Sequence, residues 1–423
     1  MVGDVVVEAG ASLTIEPGVI VKFTSGTNLV IDGSLIALGN STHKIIFTSN
    51  ATTPNISDWG AIRIRNYGDI SYSIIEYADI GTHFDETGSL KNSLIKSNNY
   101  GISIATADVL INNINVTENN VGIYSQGDMS WPPQYKTILK NSYIGLNGIG
   151  IYHRYGGLLT IINCTVSGNE DDGIRMEGGD ADIYNTEISN NKGGGIRGGS
   201  SIIIHNSVIS NNTNFEGVGG STIEIYNSVI TNNARGISGN SVTILKSNIT
   251  NNIWYGVSGT NILNITHSEI SGNGGTGIII VAMDVGGRAL IQYNNIRQNS
   301  GSGIYLGEDI KGNLLIHHNN IYENAKYDLE YNGLVDIDVT NNWWGTVNET
   351  LIEERIYDYY DNYYRGKVLY KPYLSTPVEI SIPPSTPPAN IFKLLAFYIG
   401  LALMISIVAI VALFRFKRRK KEL

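Results

Sequence analysis

Cysteine and charge are the two things this chain nearly does without. A single cysteine, Cys164, stands among 423 residues, so disulfides do not hold the fold. It fills a repeat position taken elsewhere by Ser207, Ser228 or Ser268, which predicts a buried free thiol and leaves the redox compartment open. Charged residues make up only 16%, and acids outnumber bases for a formal −9. Setting aside the basic C-terminal run Arg415 to Glu422, which is net +5, leaves −14, a balance that disfavours nucleic acid as a partner. Two further absences matter. No long helical period interrupts the first 340 or so residues, and Met1-Val-Gly-Asp-Val-Val-Val-Glu8 offers neither a basic start nor an apolar run to serve as an export signal.

What fills the chain instead is one short phrase repeated. Ser or Asn, then x-Ile-x-x-Asn, then a Gly-Ile pair recurs at a spacing near 22 residues. Its Asn stands at Asn98, Asn147, Asn169, Asn191, Asn212, Asn233, Asn252, Asn273, Asn299 and Asn324. The glycine of the pair stands at Gly101, Gly150, Gly173, Gly195, Gly236, Gly277 and Gly303; Gly217 and Gly256 carry Val in place of Ile, and the repeat around Gly122 is irregular. Each copy is alternating β-branched runs broken by Asn and Gly, the chemistry of strands and turns. A strand-only unit of this length cannot close a core by itself, so copies must stack. The expected fold is all-β: a single-stranded right-handed parallel β-helix of about 12 to 13 rungs. The Asn column is expected to bond rung to rung, and Asn and Gly both tolerate the left-handed backbone that sharp turns require.

The C-terminus reads differently. Residues 391–414 form an apolar run with Lys393 at its edge, long enough at about 1.5 Å per residue to cross a bilayer, and the basic residues 415–423 follow directly. The positive-inside rule puts that tail in the cytoplasm and the β-helix outside. Six of the ten prolines lie between Pro372 and Pro388, so residues 375–390 read as a stiff stalk. The expected organisation is β-helix 1–345, C-terminal cap 346–374, stalk 375–390, transmembrane helix 391–414 and cytoplasmic tail 415–423. The expected location is the plasma membrane, single-pass, with the native start upstream of Met1, since Asp4 to Phe23 already reads as rungs. A tail-anchored protein with a cytosolic β-helix is the competing reading.

Gly10-Ala-Ser-Leu-Thr-Ile-Glu-Pro-Gly18, Gly33-Ser-Leu-Ile-Ala-Leu-Gly39, Ile45-Ile-Phe-Thr-Ser49, the Asn/Gly-Ile rungs and Asn341-Asn-Trp-Trp-Gly345 together resemble right-handed β-helix repeat proteins of the pectate-lyase-like superfamily, over about residues 4 to 374. The repeats are also similar to the β-helix domain of periplasmic copper-binding accessory proteins. The resemblance implies the fold and a surface location; it leaves function open, since one coil serves lyases, hydrolases, adhesins and structural proteins. It further implies that Asn341 to Gly345 and Leu351 to Tyr360 close the coil, and an apolar stripe at Leu351, Ile352, Ile356 and Tyr359 or Tyr360 fits a short capping helix.

Alternate strand residues face solvent, and those following each Gly-Ile form the file Ser103, Tyr124, Tyr152, Arg175, Arg197, Gly219, Ser238, Ser258, Ile279, Tyr305. Within it Tyr124, Tyr152, Arg175 and Arg197 occupy consecutive rungs, with Arg154 and Glu177 two residues further along. Adjacent arginines require an anionic neighbour: internally Glu177, Asp171 or Asp172, or externally an acidic sugar whose C–H faces pack on the rings. The loop Gln126 to Tyr135 exposes Trp131 beside them. The candidate ligand-binding set is therefore Tyr124, Trp131, Tyr152, Arg154, Arg175, Glu177 and Arg197.

An enzyme would use Arg175, Glu177 and Asp172, as a polysaccharide lyase or a glycoside hydrolase, the latter needing two facing carboxyls. Asp180 or Asp182 would be the other partners for Glu177. The Gly-His-Gly of polygalacturonase-like members is absent, and the balance leans against catalysis. Glu170, Asp171 and Asp172 form a faint Ca²⁺ candidate, and no other cofactor is expected. Copper handling would need Cys164, Met129, Met176, Met283 and His317-His318 gathered, which their spacing does not do. Nine Asn-x-Ser/Thr sequons occur, of which Asn40, Asn50, Asn55 and Asn348 lie in expected loops. The sequence thus points to a membrane-anchored structural or adhesive ectodomain that takes polysaccharide, or neighbouring surface proteins, on a lateral face.

Overall fold

Isoleucine on alternate positions gives every short strand one buried and one exposed side, and stacking is how the buried side is satisfied. In the computed structural model, which describes residues 1–105, 107–127 and 135–381, all strand pairings are parallel, as in Ile149–Arg154 on Ile174–Glu177. A typical turn has three strands: Ile149–Arg154, Leu158–Ile162 and Thr165–Ser167. The third of these belongs to a 14-stranded sheet with one strand per turn, from Ile20–Phe23 to Asn320–Tyr322, and the other two to a 27-stranded sheet. The chain is an all-β right-handed parallel solenoid of 14 turns by that sheet, slightly more than the repeat count gives, because the irregular N-terminal turns also stack. At about 4.8 Å per turn the coil rises on the order of 65 Å. Over Glu216–Tyr226, Arg235–Leu245 and Val257–Thr266 the first two strands fuse into one.

Three apolar columns fill the interior. Ile151, Ile174 and Ile196 belong to the first, Ile161, Ile183 and Ile204 to the second, Val166, Ile188 and Ile209 to the third, all fully buried. Each such side chain contributes about 2 kcal/mol through burial. Phe23 stacks on Trp59 with ring centroids 4.0 Å apart, plugging the N-terminal turns with larger groups.

Polar ladders run beside these columns. Along the first, each Asn side chain accepts from the backbone N–H and the amide of the Asn before it: Asn191 donates through N (3.1 Å) and Nδ2 (2.9 Å) to Asn212 Oδ1, and Asn212 through Nδ2 (2.8 Å) to Asn233 Oδ1. Asn119 joins this ladder between Asn98 and Asn147, so the turn that looked irregular keeps its rung. Asp328 ends it, accepting from Asn324. A second ladder of Ser93, Ser142, Cys164, Thr186, Ser207, Ser228, Ser247 and Ser268, interrupted at Ile114 between the first two, changes over to Asn294, Asn319 and Asn342. Cys164 occupies the expected serine place and is buried. The left-handed conformation is carried by the residue before each ladder member, such as Asn190, Asn211 and Asn232, and not by the ladder Asn itself, whose side chain is committed to the next rung.

The Gly-Ile glycines have a packing reason as well. A Cβ on Gly150 would stand 2.5 Å from Gly173 O and 2.8 Å from Asn169 Nδ2. No L side chain fits so close to the ladder.

After Asn342 the chain folds over the last turns. The one-turn helix Glu349–Glu353 is capped by Asn348 and buries Ile352, while Ile356–Tyr357 extends the sheet from Leu329–Tyr331. The helix is shorter than the apolar stripe predicts: Leu351, Tyr359 and Tyr360 face solvent and Ile356 is strand, because a free sheet edge at Leu329 offers better hydrogen bonding than a second helical turn. Trp344 is buried, as a closing residue should be. Among the described residues no helix is long and apolar enough to cross a membrane. The candidate span 391–414, the tail 415–423 and most of the proline segment lie outside the described residues.

Candidate functional site

Parallel register settles which side chains share a face. Ser103, Tyr124, Tyr152, Arg175, Arg197, Gly219, Ser238, Ser258, Ile279 and Tyr305 form one unbroken file, rung on rung. It continues toward the N-terminus through His83 and Arg63. Gln126, Arg154 and Glu177 form a parallel file two residues on.

The tyrosines make a ladder. Tyr100 meets Tyr124 edge-on at 5.7 Å between centroids, and Tyr124 meets Tyr152 at 5.5 Å. Tyr124 donates to Gln126 Oε1 at 3.1 Å and Tyr152 to Glu177 Oε1 at 2.5 Å. Arg154 Nε lies 2.9 Å from Glu177 Oε2. The Tyr152 hydroxyl, then the Arg154 guanidinium, holds Glu177 below the usual carboxylate range. Burial first, then the Glu177 hydrogen bond, pushes Tyr152 up to about 12.

The arginine pair is neutralised from within. Asp172, wholly buried, accepts at Oδ2 from Arg175 Nε (2.7 Å) and from Arg197 Nε (2.9 Å), and at Oδ1 from the Gly194 backbone N–H (2.8 Å). Asp171 takes the other side of Arg175. Arg197 also lies over the Phe215 ring, 4.6 Å from its centroid. Glu177 serves Arg154 and Tyr152. The repulsion that seemed to ask for an external anion is therefore answered by one aspartate wedged between two rungs, and Arg154, Arg175 and Arg197 balance Asp171, Asp172 and Glu177.

Chemistry at carboxylates fits this arrangement poorly. Asp172 has both oxygens occupied and no exposed surface, so it has no route to a substrate as acid or base. Asp180 and Asp182 lie on the next strand, Asp180–Tyr184; burial raises Asp180. The calcium candidate does not assemble either. Glu170 pairs with Lys192, Asp171 with Arg175, and Asp172 faces inward, and among the described residues no three His, Cys, Asp or Glu converge on a metal-sized point. The copper donors stay apart. Burial pushes the Cys164 thiol up to about 12, His317 Nδ1 meets Thr340 O at 2.7 Å, and His318 stacks on Tyr293. Met176 and Met283 are core residues; Met129 and Trp131 lie outside the described residues. Asn40, Asn50, Asn55 and Asn348 are all exposed.

Sequence reasoning passed over the aromatic edge of the same face. Trp254 is 64% exposed beside Ile253 at 61%, on the turn entering the strand Val257–Thr266. Ala234 and Gly275 flank it on adjacent rungs, bonded to it through the backbone. With Phe215 two rungs earlier, it borders the shallow part of the file where Gly219, Ser238 and Ser258 stand. The signal was an aromatic two residues after the ladder Asn, the position where Gly193, Gly275 and Gly301 stand in other repeats.

Residues 80–215 and 147–284 match the right handed beta helix region family, and residues 1–93 match the pectate-lyase like beta helix domain. No curated protein matches the chain. Among solved structures the A-module of the mannuronan C-5 epimerase AlgE4 from Azotobacter vinelandii is similar at 13% identity, covering 75% of this chain and 89% of that one, with a TM-score of 0.33.

Proposed function

From the premise that this chain is a right-handed parallel β-helix protein whose first rungs match the pectate-lyase-like domain, we propose that it is a structural or adhesive ectodomain, anchored by residues 391–414, that holds polysaccharide along the Tyr124–Arg197 file. The observation that carries the reading is the order of that file: Tyr124 and Tyr152, with Tyr100 edge-on to Tyr124 from the neighbouring rung, then guanidiniums on Arg175 and Arg197, on successive rungs about 4.8 Å apart. A sugar chain lies along such a file with C–H faces against rings. Acidic groups on it compete with Asp171 and Glu177, which are 43% and 48% exposed at the side chain, for Arg175 and Arg154. Because those arginines already have partners, the charge term is an exchange of anions, and affinity rests mainly on the aromatics.

The test is retention of the full chain, in mild detergent, on neutral and acidic polysaccharides with and without Ca²⁺. The Tyr124→Ala/Tyr152→Ala pair and Trp254→Ala are the variants, since neither touches the Asp172 cluster. Retention lost in the tyrosine pair supports the groove; equal retention of all variants, or none by the parent chain, removes it and leaves a scaffold.

A further inference from the structure

One rung toward the N-terminus from the tyrosines, three side chains join in a line. His83 Nδ1 is 2.9 Å from Ser103 Oγ, and His83 Nε2 is 2.8 Å from Asp85 Oδ1. An ionised carboxylate only accepts, so with Asp85 ionised Nε2 carries the hydrogen; in the neutral ring Nδ1 is then the bare nitrogen, and the Ser103 hydroxyl donates to it. The order of hydroxyl, imidazole and carboxylate is that of an activated nucleophile. It arises from the fold: Ser103 and His83 are register partners on adjacent strands, and Asp85 follows His83 by two residues. On the other side of His83 in the same file stands Arg63, half-buried, with no ion-pair or hydrogen-bond partner among the described residues. Every other arginine of this face has an anionic partner. Arg63 is the uncommitted positive charge of this face, one rung beyond the base and two from the hydroxyl.

We propose that Ser103 is an activated nucleophile toward carboxylic esters, with His83 its general base and Asp85 a positioning residue. Ser103 Oγ bonds to the ester carbonyl carbon while its proton passes to His83 Nδ1. The carbon–alkoxy bond then breaks, and the alkoxide leaves as an alcohol with that proton. Water, deprotonated by the same nitrogen, attacks the acyl-serine, releasing a carboxylic acid and restoring the hydroxyl. Ser103 is only 5% exposed, between His83 and Tyr124 in the file, which restricts its ester to one with a small acyl group. This proposal does not rest on polysaccharide binding.

The experiment uses the full chain and a small alkyl fluorophosphonate, which the same hydroxyl attacks at phosphorus with loss of fluoride. Intact mass and peptide mapping are expected to give one adduct on the peptide holding Ser103. Ser103→Ala should abolish it and His83→Ala slow it at least 100-fold, with added imidazole restoring part of the rate. Asp85→Asn should slow it about tenfold and Asp85→Glu recover most of that, while melting temperatures stay within a few degrees of the parent. No adduct on folded parent chain at millimolar reagent, or labelling equal in His83→Ala, overturns the proposal. Labelling that survives loss of polysaccharide retention in the tyrosine pair separates the two readings.

Discussion

His153 shows what a single residue reveals about this interior. It points inward between Ser125 and Met176 and is 1% exposed, and neither ring nitrogen has a partner in hydrogen-bonding geometry. Burial lowers it from 6.5 to about 4, opposed in part by the nearby Gly157 backbone. As pH falls below 6.5 the unfolded chain binds a proton that the folded chain refuses until about 4, so the stability present above pH 6.5 is lost across that interval. The loss should approach 3 kcal/mol, at about 1.4 kcal/mol per pH unit. Urea titrations at pH 7.5 and 4.5 check this: His153→Leu should flatten the dependence, and an unchanged slope would mean the ring is charged or solvated in the fold. The ladder asparagines behave oppositely, being fully satisfied. Asn212→Ala would strand Asn191 N–H and Ile188 O, and should cost about 3 kcal/mol in the same assay.

At the scale of strands and turns, the energetics are set by how closely rungs approach. Gly150→Ala forces a methyl into the Gly173 carbonyl and the Asn169 amide, and a loss of about 1–3 kcal/mol is expected by thermal or urea unfolding. Asp172 is the staple between Arg175, on the strand Ile174–Glu177, and Arg197 on the next rung. Asp172→Ala leaves Arg197 and the Gly194 N–H without their acceptor and Arg175 with Asp171 alone, at an expected cost of about 3 kcal/mol. Adding Arg175→Leu and Arg197→Leu should recover part of it, so a multi-mutant cycle would read a coupling well above 1 kcal/mol; additive losses would show that the aspartate holds only the Gly194 turn.

Over the whole molecule, each rung touches only its neighbours, so damage should stay local. In hydrogen exchange Asn212→Ala is expected to lower protection in the rungs of Asn191 and Asn233 and to leave the Phe23–Trp59 turns unchanged. A uniform drop across the chain would instead mean one cooperative unit. This modularity is also why so much was legible beforehand. The period near 22 fixes the stacking, and alternation within each copy fixes which residues face out, so the file from Ser103 to Tyr305 could be written from the letters. Asn119 escaped because Val116 replaces the Ile of the phrase and 28 residues separate it from Asn147, and the capping helix came out short because a sheet edge competed for Ile356.

By itself the sequence determined the coil, its columns and the membership of its outer face, because period-2 alternation and a 22-residue repeat leave one stacking solution. It could list Arg175, Arg197, Asp171, Asp172 and Glu177 as neighbours but not pair them. Tertiary structure decided that Asp172 turns inward and takes both arginines, that Glu177 goes to Tyr152 and Arg154, and that Ser103, His83 and Asp85 fall into line across two rungs. Those choices depend on side-chain direction and burial at contacts about twenty residues apart, where no local pattern in the chain distinguishes one partner from another.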